Sequence, residues 1–66
     1  MKAEINFELM EARRKTGQTQ AKFAVGIGML KSVYGDIERN RLVPTEKEKQ
    51  LIADGLNMPV AKLFKK

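Results

Sequence analysis

The chain has no cysteine and no histidine. The first absence removes any disulfide framework or thiolate metal site, and the second removes the commonest general base and metal ligand. Eight acidic residues remain, without metal-binding or paired-carboxylate spacing, so no nucleophile–base constellation can be assembled. Neither an enzyme nor a metal or cofactor is expected. Long apolar runs are also missing: none approaches the roughly 18 residues of a membrane-spanning helix, and no signal-peptide core follows Met1 and Lys2. The sequence therefore reads as a soluble, unprocessed, cytoplasmic protein with no membrane contact.

Basic residues are plentiful. Thirteen Lys and Arg against eight Asp and Glu leave a formal net charge of +5, and the isoelectric point lies near 9.8. Such a surface favours a polyanionic partner, because neutralising phosphates releases counterions and steers association. Charge alone does not choose between nucleic acid and a membrane surface. Sixty-six residues suffice for one small domain, residues 1–66, with a single core and marginal stability.

The chain is organised around the stretch from Thr19 to Asn40. Its apolar residues fall at Phe23, Ala24 and Ile27, then Met29 and Leu30, then Tyr34 and Ile37, which is helical spacing on either side of Gly28. Two short helices joined by a tight turn follow from this pattern, with glycine supplying the positive φ the turn needs. Ala24 is small enough to let the second of these helices approach the first. Thr19 is an N-cap and Asn40 a left-handed stop. The second helix of the pair is expected from Leu30 or Lys31 to Arg39. Leu30, Tyr34 and Ile37 then face the core, and Lys31, Ser32, Gly35, Asp36 and Arg39 face outward.

Around this pair the chain supplies further helices. Met1 to Asn6 reads as a short leader, and Asn6 can cap a helix from Phe7 to about Lys15, with Phe7, Leu9, Met10 and Ala12 on its apolar side and Gly17 ending it. Thr45 and Glu48 have the form of a capping box at the start of a fourth helix whose stripe is Leu51, Ile52 and Leu56. Gly55 is an odd member of that helix, expected to soften its last turn. Asn57 ends it, Pro59 suits the first turn of a fifth helix, Leu63 and Phe64 close the core, and Lys65 and Lys66 read as a frayed end. The methionines at 10, 29 and 58 read as core filler.

Taken together, Arg13, Thr19-Gln20, Phe23-Ala24, Ile27-Gly28, Lys31-Ser32, Ile37-Glu38, Pro44, Ile52-Ala53, Leu56 and Leu63-Phe64 resemble the phage repressor and Cro family, the Xre-type helix-turn-helix domain. The likeness spans nearly the whole chain. It implies an all-α, compact five-helix bundle of the repressor-like DNA-binding type, with the helix-turn-helix as helices two and three. It also implies a partly buried ion pair between Arg13 and Glu38, where the residues alone suggest only a solvated arginine.

By the same resemblance the function expected is a sequence-specific, double-stranded DNA-binding regulator of transcription, most like a small Cro-type repressor of a phage or mobile element. Such proteins bind a pseudo-palindromic operator as a homodimer, with recognition helices about 34 Å apart. Lys31, Ser32 and Asp36 are then base-edge candidates, and Val33 either touches a thymine methyl or edges the core. Gly35 belongs to the same face. Gln20 contacts the DNA backbone or bonds back to the neighbouring helix, while Arg39 and Arg41 are phosphate clamps or simply solvating charges. Asn57, Met58 and Val60 form the implied dimer surface. No small-molecule ligand is expected. The other reading is an antitoxin or adaptor on the same fold whose main partner is a protein. Tyr34, Gly35, Asp36 and the uncapped Leu30 depart from the family pattern, which points to an unusual base preference.

Overall fold

The computed structural model describes residues 5–64. The first four residues of the expected leader and the terminal pair Lys65-Lys66 lie outside them. Five helices form a compact all-helical domain: α1 (Phe7–Lys15), α2 (Gln20–Gly26), α3 (Lys31–Glu38), α4 (Glu46–Leu56) and α5 (Val60–Leu63). Among the described residues there is no strand. No described helix is long and apolar enough to cross a membrane.

Side-chain caps start three of the helices. Asn6, Thr19 and Thr45 each accept a backbone N–H from three residues ahead, those of Leu9, Lys22 and Glu48. At Thr45 the backbone N–H donates in turn to the Glu48 carboxylate at 2.9 Å, completing the capping box. Asn6 does more than cap. Its N–H donates to the Glu38 carbonyl at 2.9 Å and its side-chain amide to the Leu63 carbonyl at 2.9 Å, so one residue ties α1 to the ends of α3 and α5.

The ends of α2, α3 and α4 share one solution. Gly28, Asn40 and Asn57 have φ of 80°, 61° and 56°. In each case the following residue's N–H reaches back into the last turn: Met29 to Ala24, Arg41 to Asp36 and Met58 to Ala53. This is the Schellman arrangement, which satisfies carbonyls the helix leaves unpaired. At Gly28 a Cβ would meet no neighbour within 4 Å, so the positive φ alone calls for glycine there.

Leu9, Ala12, Phe23, Ala24, Tyr34, Ile37, Ile52, Ala53, Leu56 and Leu63 make the core. Phe23 and Tyr34 meet edge to face with ring centroids 5.2 Å apart, locking α2 against α3. Ile27, Met29, Met58 and Phe64 pack on the periphery.

Four expectations need correction. Leu30 is 70% exposed: it is the N-cap of α3, with φ −70° and ψ 141°, so helical periodicity does not yet apply to it and Met29 packs inward instead. Phe7 is 61% exposed at the opening turn of α1, whose inner face is carried by Leu9 and Ala12. Pro59 is the extended residue before α5, ψ 145°, rather than part of its first turn. Gly55 is a packing requirement: a Cβ there would lie 2.6 Å from Ile27 Cγ2 and 3.2 Å from the Phe23 ring. A side chain would hold α4 away from α2.

Candidate functional site

The site is built on α3. At about 100° per residue, Lys31, Ser32, Gly35, Asp36 and Arg39 fall within one arc of roughly 140°, and Val33, Tyr34, Ile37 and Glu38 occupy the other side. Burial follows this division with one exception. Lys31, Ser32 and Arg39 are exposed, Asp36 is half-buried, Tyr34, Ile37 and Glu38 are buried, and Val33 packs half-buried against the core. The exception is Gly35, expected to face outward but buried. A Cβ on Gly35 would lie 3.0 Å from Arg39 Nη1 and 3.4 Å from Gln20 Oε1. Those two side chains roof it.

Behind the exposed face sits a buried carboxylate. Glu38 is 2% exposed and takes bonds from three helices: Arg13 Nε donates to Oε2 at 2.8 Å and Arg13 Nη2 to Oε1 at 3.3 Å. The Tyr34 hydroxyl donates to Oε2 at 2.8 Å, and the Gln20 side-chain amide donates to Oε1. Arg13 also donates to the Gln18 carbonyl at 2.8 Å, holding the α1–α2 loop. Among the described residues no buried side-chain polar atom lacks a partner. The implied Arg13–Glu38 pair is therefore present. Gln20 takes the second of its two expected roles, bonding back to α3.

The titration of this group follows from its contacts. Burial alone would push the Glu38 carboxyl up, but hydrogen bonds from Arg13, Gln20 and Tyr34 outweigh it and hold the group below its ordinary range. Burial, reinforced by the bond to Glu38, pushes the Tyr34 hydroxyl well up, so it stays protonated as a donor. The bond to Glu38 raises Arg13 against the opposing effect of burial. At neutral pH the Glu38 carboxylate and the Arg13 guanidinium are both charged and Tyr34 is neutral.

Sequence reasoning missed Tyr34 as the third donor. The signal was available: Tyr34 and Glu38 are four residues apart on one helix, and neighbouring turns place such side chains in contact. In front of the network, Arg39 Nη1 lies 3.6 Å from Asp36 Oδ1, and Arg41 is exposed just past the α3 stop. Asn57, Met58 and Val60 sit apart from this face, at the joint between α4 and α5. Asn57 is exposed and left-handed, and Met58 and Val60 are partly packed on the core.

The arrangement can present cations and small polar groups on one helical face. No protein-family model, no curated protein and no solved structure matches the chain.

Proposed function

We propose that the protein is a sequence-specific double-stranded DNA-binding regulator of transcription, most like a small Cro-type repressor, in which α2 and α3 act as a helix-turn-helix. The observation that carries this reading is the outward face of α3: Lys31 and Ser32 lie exposed at its start, and Asp36 and Arg39 lie one and two turns on. The buried Glu38 network fixes that face against α1 and α2. A helix held in this way can enter the major groove with its N-terminal residues at base edges, while Arg41 meets phosphate. A domain of this size covers little DNA by itself, so binding is by a homodimer. Asn57, Met58 and Val60 are the proposed contact between copies.

A binding selection on a random duplex library, followed by a salt titration, tests the reading. The expected result is an inverted repeat with half-sites one helical turn apart, bound about a thousandfold or more tighter than scrambled DNA. Lys31→Ala should relax one half-site position, whereas Arg41→Ala should weaken binding to all sequences and flatten the salt dependence. Equal effects of both changes on specific and random DNA would remove Lys31 from the groove.

One observation favours a protein partner as the second reading. Ile5, Phe7, Leu42, Val43 and Phe64 line an open groove of about 590 Å3, and the first four of these are exposed. Weak, salt-sensitive binding without an enriched motif, together with a stoichiometric protein complex that survives high salt, would select that reading.

A further inference from the structure

Arg39 stands at the C-terminal end of α3, where an arginine ordinarily flanks a groove-reading surface and meets phosphate. Its guanidinium is not at that end. Side chains on a helix lean toward the N-terminus, and Arg39 lies back across Gly35, with Nη1 3.0 Å and Cζ 3.6 Å from the point a Cβ of residue 35 would occupy. That places the charged group one turn, about 6 Å, nearer Lys31 and Ser32 than its own Cα. Around the helix, position 39 falls between positions 35 and 36, in the middle of the outward arc. A Cβ at position 35 would press on it, and the guanidinium would have to give by a few tenths of an ångström.

The guanidinium is also oriented. Asp36 Oδ1 lies 3.6 Å from Nη1, and Gln20, anchored by its amide to Glu38, shares the roof over Gly35. An arginine that only neutralises phosphate needs no such seat, and a carboxylate beside it would weaken that attraction. A fork that must meet two acceptors at once gains from having its direction set in advance.

We propose that Arg39 is a specificity-determining residue that reads a guanine through O6 and N7, with Gly35 as its seat and Asp36 as the carboxylate that orients it. The inference rests on the DNA-binding reading and deepens it. Arg39 becomes a base contact rather than a phosphate clamp, and Asp36 a positioning residue rather than a reader of cytosine. Guanine is the base that offers two adjacent acceptors to a planar donor pair in the major groove.

The test is the random-duplex selection repeated with the wild type, Arg39→Lys, Asp36→Asn and Gly35→Ala, each checked for unchanged helical content by circular dichroism and each followed by a salt titration on the wild-type site. The wild type should enrich guanine at one position of each half-site that Lys31→Ala leaves intact. Arg39→Lys keeps the charge and loses the fork, so that guanine preference should fall by about 10-fold or more while the salt slope stays the same. Gly35→Ala and Asp36→Asn should erode the same position and no other.

A uniform loss of affinity in Arg39→Lys or Asp36→Asn with the guanine preference intact would overturn the proposal. So would the appearance in Asp36→Asn of a changed preference at a cytosine column, since Asp36 would then be the reader. If the wild type itself enriches no motif, the DNA-binding reading fails and takes this proposal with it. A motif that survives Arg39→Lys unchanged defeats the proposal alone.

Discussion

Glu38, a carboxylate, lies at the centre of the molecule with 2% of its surface exposed, whereas Phe7 and Val43 stand 61% and 86% exposed on the outside. The contrast shows that partners, rather than residue type, decided what could be buried. Glu38 meets donors from Arg13, Tyr34 and Gln20, and an ion so satisfied can be kept from water. Val43 lies in the loop between α3 and α4, and Phe7 at the first turn of α1, and among the described residues none covers either side chain enough to bury it. The polar centre joins three helices, and the apolar rim leaves a groove between the start of α1 and the α3–α4 loop.

Removing the carboxylate should have the largest effect. Glu38→Ala leaves Arg13 buried without its counter-charge and is expected to cost about 3–5 kcal/mol in urea unfolding, enough to unfold much of a domain this small. The pH dependence has a definite sign. The folded-state pKa of Glu38 is held below its ordinary value of 4.5, so the contribution is complete above that value, declines as pH falls beneath it, and is gone below the lowered folded value. Glu38→Gln should lose this part of the acid sensitivity. An acid unfolding profile parallel to that of the wild type would show that other carboxylates dominate.

Tyr34→Phe keeps the ring against Phe23 and deletes one donor to a charged acceptor, for an expected loss of about 2 kcal/mol. Denaturation at neutral pH measures it, and no change would mean that water or Arg13 replaces the hydroxyl. Gly55→Ala opposes two effects. Better helix propensity favours it by about 1 kcal/mol, and the overlap with Ile27 and Phe23 opposes it by about 1–3 kcal/mol. The net expectation is a fall in melting temperature, and a rise would show that α4 can move away from α2 cheaply. Val43→Ser, at the exposed end of the comparison, should change stability by no more than about 0.5 kcal/mol. A larger loss would mean that the groove is covered in solution.

Much of the fold was legible in the chain because it rests on local rules. The caps at Asn6, Thr19 and Thr45, the left-handed stops at Asn40 and Asn57 and the Gly28 turn are each decided by a few neighbouring residues. The helix bounds follow from them, as does the division of α3 into a core side and an outward side, Gly35 apart. Local rules erred where one residue had to serve two neighbourhoods. Leu30 fits the periodicity of α3 but precedes the helix, and Gly55 is a poor helix former that α2 requires.

The candidate site divides in the same way. Sequence by itself determined that Lys31, Ser32, Asp36 and Arg39 share one face of a short helix, since their spacing along 3.6 residues per turn allows little else. Only the tertiary structure decided that Gln20 turns to Glu38, that Tyr34 supplies a third donor, and that Arg39 lies back over a buried Gly35 beside Asp36. Those contacts join α1, α2 and α3 or depend on which rotamer a long side chain adopts once its neighbours are in place. Periodicity along a single helix carries no record of either.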